Sequence, residues 1–183
     1  MVYKMTLRHV TENDFNSIYN LYESYRQWQQ NTSSQYKKEN NRYLSSDELK
    51  RIWQGEMIRF PTISNVVYYD NILRNVKGYC YETNGNILAY TQWNIVNNNA
   101  TNELILYNFG TQDGRNQIED LVRYSFQELN KLGIKTVNGR MSSFMFRSDE
   151  FNWLKTYSSS QIEEDSRDIY YNIVNTIDNL LEL

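Results

Sequence analysis

Between Lys77 and Leu132 the chain changes its hydrophobic period once, and that change limits what it can fold into. Up to Phe109, large apolar residues come in short runs split by turn residues. From Arg115 onward they recur every three or four positions. The runs Lys77–Glu82 and Ile87–Val96 flank Thr83-Asn84-Gly85-Asn86, whose Asn-Gly pair supplies the positive φ angles of a tight hairpin. Asn97 to Thr101 reads as a second turn and Glu103 to Phe109 as a third antiparallel strand, making a meander. Ile118, Leu121, Val122, Ser125, Leu129 and Leu132 then share one face of a helix that Gly133 stops at its C′ position. A sheet with helices packed on it is the expected architecture.

The flanks extend this α/β pattern. Tyr3 to Val10 alternates as a short strand, and Thr11-Glu12-Asn13-Asp14 carries the hydroxyl and the acid of a helix start. Phe15, Ile18, Tyr19, Tyr22 and Tyr25 follow on one helical face. Asn31 to Tyr43 is polar and reads as a loop. Ser45 and Glu48 form a second capping box ahead of Leu49, Ile52, Trp53, Met57 and Phe60, and Pro61 ends that helix. Val66 to Tyr69 is a short strand or a lead-in to the next one. After Gly133 come a strand over Ile134–Val137, a helix over Phe146–Thr156, a strand over Asp168–Val174 and a short helix over Ile177–Leu183. The order is β-α-α-β-β-β-α-β-α-β.

At 183 residues and 40% hydrophobic content, the chain suits one domain over residues 1–183 with its own core. A net charge of −3 argues against a nucleic-acid partner, which calls for basic excess. Cys80 and His9 are each the only residue of their type. No internal disulfide or cysteine-based zinc site is therefore expected, and Cys80 reads as a small buried hydrophobe. No apolar run approaches the ~18–20 residues of a membrane span. The opening residues lack the pattern of a signal peptide, so the cytoplasm is the expected location.

Three segments carry a family resemblance. Leu7-Arg8-His9-Val10-Thr11-Glu12-Asn13-Asp14-Phe15 places an arginine at the end of the first strand and an acid early in the first helix. Gly85-Asn86-Ile87-Leu88-Ala89-Tyr90 forms a turn and strand, and Leu104 to Leu132 a strand, loop and helix. In this order they resemble the GCN5-related N-acetyltransferases over most of the chain. The resemblance implies a mixed, mostly antiparallel central sheet flanked by helices, with acetyl-CoA as co-substrate and direct acyl transfer to an amine. It implies a small-molecule or peptide amine as partner.

The same resemblance assigns residues. CoA would enter a gap with Tyr107, Asn108 and Phe109 on one side and Val137, Asn138 and Gly139 on the other. Its pyrophosphate would meet the loop Gln112, Gly114, Arg115, Asn116 and Gln117, where backbone N–H groups at a helix start attract anions. Glu103 is the candidate base and Tyr157, following the late helix, the candidate acid for the leaving thiolate. The loop departs from the family's Arg/Gln-x-x-Gly-x-Gly/Ala pattern. With Gln112 in the first position, Arg115 and Gln117 occupy the glycine sites. Asp113, Glu119 and Asp120 add negative charge, and Asn116 with Glu119 has the spacing of a capping box. Trp153 stands in the register of the family's tyrosine. Two readings follow: an acyl-CoA-dependent N-acyltransferase, or a catalytically inactive protein of this fold that binds or regulates without CoA. The second reading includes a homodimer joined through the last strand and the Leu180, Leu181 and Leu183 tail.

Overall fold

The computed structural model describes residues 4–32, 66–69, 72–142, 148–158, 162–164 and 170–183. The helix expected between Ser45 and Phe60 lies outside them. Eight described strands form one sheet: β1 (Met5–His9), β2 (Val66–Tyr69), β3 (Ile72–Thr83), β4 (Asn86–Val96), β5 (Asn99–Tyr107), β6 (Thr136–Ser142), β7 (Ile162–Glu164) and β8 (Tyr170–Thr176). Their spatial order is β1-β3-β4-β5-β6-β8-β7, with β2 paired to β3. The helices are α1 (Phe15–Thr32), α2 (Gln112–Lys131), α3 (Asn152–Ser158) and α4 (Ile177–Leu181). All strand pairs are antiparallel except β5 with β6, which α2 joins by a crossover.

The hairpin forms as its turn chemistry requires. Thr83 pairs with Asn86, and Asn84 and Gly85 have φ of 51° and 80°. The second turn is tighter than the sequence reading had it. Asn97 takes a φ of 53°, which asparagine tolerates, so Asn97 and Asn98 suffice and Val96 pairs with Asn99. As a result β5 starts at Asn99, four residues before its expected start, and Glu103 lies in mid-strand. The register slips between Gln92 and Trp93 of β4, whose partners are Leu104 and Asn102, so Glu103 is the extra residue of a β-bulge.

Strand alternation sorts the core into two layers. Cys80, Tyr90 and Leu106 face α1 and pack on Ile18 and Tyr22, while Tyr79, Ala89 and Tyr107 face α2 and pack with Ile118, Leu121 and Phe126. Burial pushes the Cys80 thiol up to about 12, which leaves it an inert packing group. His9 packs its ring on Tyr79, on the other face. Thr91 Oγ1 meets Ser125 Oγ at 3.0 Å, and Ser125 donates to the Leu121 carbonyl at 2.8 Å, pinning α2 to β4. Gly133, at φ 81°, ends α2 as expected. Strand β7 went unread in the sequence. The expected helix over Phe146–Thr156 is shorter among the described residues: a 3-10 turn over Asp149–Phe151 precedes α3.

The β1–α1 junction is a charged clamp. Arg8 Nη1 and Nη2 donate to the two Asp14 oxygens at 2.8 and 2.9 Å, and Arg8 Nε donates to Glu82 at 2.6 Å. The Thr11 N–H donates to Asp14 Oδ2 at 2.7 Å. Burial alone would raise the Asp14 carboxyl, but Arg8 and the Thr11 N–H outweigh it and hold it below the ordinary carboxylate range. Its contribution to stability is complete above the unfolded-state pKa near ~4 and is lost as pH falls through the lower folded value. Asp14→Asn should therefore cost about 2 kcal/mol at pH 7, a fall in Tm of roughly 4–8 °C. The deficit relative to the parent should vanish in melts carried out at acid pH.

Candidate active site

The parallel contact between β5 and β6 lasts only four rungs: Asn99–Thr136, Ala100–Val137, Thr101–Asn138 and Asn102–Gly139. Beyond Asn102, β5 continues against β4 as far as Tyr107, and β6 continues against β8 as far as Ser142. The two strands part there, and the wedge between them opens in the direction of the β5 C-terminus, where Asn108 to Thr111 lead into α2. The point of parting coincides with the bulge. Asn102 Nδ2 donates to the carbonyls of Gln92 at 3.2 Å and Leu104 at 3.4 Å, bracketing Glu103.

Glu103 is exposed and sits on the α1 face. Its Oε1 accepts from Gln92 Nε2 at 3.2 Å, and Gln92 Oε1 accepts from the buried Tyr90 hydroxyl at 2.8 Å. Tyr157 lies on the α2 face, inside α3 and not after it as the sequence reading had it. Its hydroxyl accepts from Arg123 Nε at 3.2 Å, its ring packs on Phe126 and Trp153, and Asn175 Nδ2 donates to its carbonyl at 2.8 Å. Burial pushes the Tyr157 phenol up, with Arg123 opposing, so it holds its proton at neutral pH. Beneath the wedge, a cavity of about 70 Å³ is lined by Trp93, Asn102, Ile105, Val137, Asn138 and Tyr157 among others.

The mouth of the wedge is dense with aromatic rings. Tyr107 and Phe109 are 4.0 Å apart between centroids; Trp28 stacks on Phe109 at 5.1 Å, and Phe151 stands 6.0 Å from it. Trp153 Nε1 donates to the Tyr107 hydroxyl at 3.3 Å. The Tyr107 phenol is held far above its ordinary value by burial, and the Glu150 carboxylate adds to this. Trp153 therefore serves as a donor to Tyr107 and not as a proton source. Asn138 accepts from Asn99 Nδ2 at 3.4 Å, at a paired rung below the parting point.

The α2 start is largely satisfied by its own loop. Thr111 is the N-cap, not Asn116: Thr111 Oγ1 accepts from the Gly114 N–H at 3.0 Å, and the Thr111 carbonyl accepts from the Arg115 N–H at 3.1 Å. Thr111 Oγ1 also donates to the Asn108 carbonyl at 2.8 Å. A Cβ on Gly114 would fall 2.1 Å from the Asn108 oxygen, so this glycine serves the loop's own close turn. Asn116 lies within the helix and accepts from Gln112 Nε2 at 2.9 Å, while Gln117 is half-buried one turn in. Arg115 Nη1 donates to Glu150 Oε2 at 3.0 Å, and its Nη2 to Gln112 Oε1 at 3.3 Å. Glu150 Oε1 is buried and has no partner among the described residues.

That donor set still fits an anion. The N–H groups of Gln112 and Asp113 lie in the first turn, where no intrahelical carbonyl reaches them, and the Arg115 guanidinium stands over the same end. The Asp113 carboxylate opposes it. Thr111 was legible as an N-cap, being a hydroxyl three residues ahead of Gly114. Glu150 was not, because its partner is 35 positions away. Leu180 of the C-terminal tail is core, 3% exposed, which leaves Leu181 and Leu183 at the surface. Among the described residues no helix is long and apolar enough to cross a membrane.

The fold has close counterparts among solved structures. PaiA N-acetyltransferase from Thermoplasma acidophilum, in complex with coenzyme A, matches with a TM-score of 0.63 at 13% identity over 93% of this chain and 98% of that one. A putative acetyltransferase of the GNAT family from Desulfovibrio desulfuricans matches at 0.61 and 7% identity over 95% and 99%. The ribosomal-protein-S18-alanine N-acetyltransferase from Escherichia coli matches at 0.58 and 13% over 95% and 94%. No sequence family matches the chain, and no curated protein matches it in sequence. The chain thus has the acetyltransferase fold, and at these identities the likeness shows the fold alone. Gly114→Ala should destabilise the protein by about 1–3 kcal/mol through its contact with Asn108 alone. Thr111→Ala should cost about 1 kcal/mol. Chemical denaturation without added ligand checks both.

Proposed function

We propose that the protein is an acyl-CoA-dependent N-acyltransferase acting by direct transfer to an amine. The observation that carries this reading is the wedge between β5 and β6. It starts at a bulge bearing Glu103, opens onto the α2 N-terminus and has Tyr157 on its other side. An acyl-CoA supplies a thioester carbonyl already activated for attack. The N–H groups of Gln112 and Asp113 and the guanidinium of Arg115 would hold its phosphates. Tyr107, Asn108 and Phe109 would border its path, with Asn138 and Gly139 opposite.

Each residue has a separate task. Glu103 takes a proton from the incoming ammonium or amine, directly or through a water, as nitrogen bonds to the carbonyl carbon. Gln92 and Tyr90 orient that carboxylate. A backbone N–H of β5, on the edge that faces the wedge, would hold the carbonyl oxygen. As the C–S bond breaks, Tyr157 gives its proton to sulfur. Arg123 donates to the phenol oxygen, which leaves the phenol proton free for that transfer. Substrates of the solved counterparts include spermidine and a ribosomal protein, and a cationic small-molecule or peptide amine suits the exposed Glu103.

A second reading has its own support. The Gly114 and Arg115 N–H groups are both taken by Thr111, and Arg115 is tied to Glu150. A protein that keeps this fold without CoA, acting by binding a partner or a second copy, would have such a closed helix start. Calorimetric titration with acetyl-CoA and CoA separates the two: saturable micromolar binding supports transfer, and silence at millimolar concentration supports the second reading. In turnover assays Glu103→Gln should lower kcat by about 10²-fold or more, and Tyr157→Phe should lower kcat with KM little changed. Because burial raises the Tyr157 phenol, kcat should not fall on the alkaline side until above pH ~10. Full activity in Tyr157→Phe would remove Tyr157 from the mechanism.

A further inference from the structure

Packing does not explain the contact between Arg115 and Glu150. Glu150 lies in the 3-10 turn Asp149–Phe151 that precedes α3, with a side chain 8% exposed. Its Oε2 accepts from Arg115 Nη1 at 3.0 Å, and its Oε1 is buried without a partner among the described residues. A carboxylate taken out of water is stable when both oxygens are filled, and this one is half-filled. Arg115 is the freer partner. Its side chain is 28% exposed, and it stands on the first turn of α2 beside the unclaimed N–H groups of Gln112 and Asp113. A further hydrogen bond, at 3.3 Å, ties it to the exposed Gln112 side chain. A second donor for the carboxylate stands close by. Tyr107 is fully buried, and its hydroxyl accepts from Trp153 Nε1 at 3.3 Å, which leaves the phenol proton to be given. The Glu150 carboxylate is near enough to raise that phenol.

We propose that Glu150 is an internal competitor for phosphate: it holds Arg115 as a ligand's phosphate would, and an arriving phosphate takes the guanidinium and leaves the carboxylate to the Tyr107 hydroxyl. The inference rests on the acyltransferase reading for its ligand, and it names how that site is regulated. Both states keep a donor on Glu150, so the exchange never strands a buried charge. The exposed partner moves and the buried one stays. The contact also selects among anions. A pyrophosphate offers several oxygens to the guanidinium and can pair with it bidentately, whereas a single small anion gains too little to displace a carboxylate already in place.

The test is calorimetric titration of the full chain and its variants with acetyl-CoA and with inorganic pyrophosphate. Glu150→Gln removes the competing charge at nearly constant shape. Both ligands should then bind about ten-fold tighter, the worth of one charge-assisted hydrogen bond no longer surrendered. The same change in an Arg115→Gln background should alter neither affinity, because the gain passes through the guanidinium. A packing role for Glu150 would instead weaken binding in both backgrounds. Tyr107→Phe, which keeps the ring, should weaken both ligands about ten-fold in the parent and leave them unchanged beside Glu150→Gln. If Glu150→Gln binds acetyl-CoA no tighter than the parent does, the competitor is overturned and the transferase reading stands. If pyrophosphate tightens as expected while acetyl-CoA binds neither protein, the competitor stands and the transferase reading falls. If neither ligand binds the parent or any variant, both fall together.

Discussion

Four rungs of parallel pairing between β5 and β6 hold two nearly independent half-sheets together, and the shape of the site follows from how early that pairing stops. On one side the long β3, β4 and β5 form a meander closed by tight asparagine turns. On the other, β6 pairs with β8 over seven residues. The outer edges of β5 and β6 are paired, with β4 and with β8, so parting them beyond Asn102 forfeits only the rungs that β5 and β6 would have shared. The Glu103 bulge adds a residue to β5 and re-aims it, as bulges do. Asn102 partly compensates for the disturbed ladder by donating to a carbonyl on each side of it. The wedge follows from the course of the strands: beyond Asn102, β5 stays with β4 and β6 with β8, and the bulge turns the first away from the second.

At the mouth of the wedge the balance of charge is set by one contact. The α2 start offers its dipole and two unclaimed N–H groups to an anion, and Asp113 works against them. Arg115 decides the sign. Held at 3.0 Å from a Glu150 side chain only 8% exposed, its charge is largely spent on a carboxylate whose other oxygen has no partner among the described residues. A buried pair of this kind is weak support for stability, because desolvation offsets the Coulomb gain. An ordinary phosphate-binding helix start leaves its glycine free for the ligand. Here the Asn108 carbonyl occupies that space, so the loop departs from the family's glycine pattern in structure as it does in sequence.

What the sequence made legible was local. Asn84-Gly85 names its own turn, and the 3.6-residue spacing from Ile118 to Leu129 names the buried face of α2. The resemblance placed Arg8 at the end of a strand and Asp14 at the start of a helix, six residues apart, but their ion pair shows only in the structure. The start of β5 was misplaced because Asn97 can adopt a positive φ, which let a shorter turn suffice. The helix cap was placed at Asn116 because its spacing to Glu119 is a real capping pattern, whereas Thr111 relies on a loop carbonyl for its own geometry. Glu150, Asn102 and the cavity depend on contacts between segments far apart in the chain, and Glu103, singled out by resemblance, was read near a strand start where the structure has a bulge in mid-strand. No periodicity carries such information.

The placement of Glu103 and Tyr157 adds an argument that neither residue makes alone. Glu103 bonds to Gln92 and through it to Tyr90, on the face covered by α1. Tyr157 packs on Phe126 of α2, on the other face. Across an intact sheet, a base and an acid so arranged could not serve one carbonyl, because a layer of paired backbone would stand between them. They can do so where two strands have parted, and the parting begins at the residue next to Glu103, above a cavity that Tyr157 lines. The bulge thus fixes two things at once: where the strands separate and where the carboxylate stands.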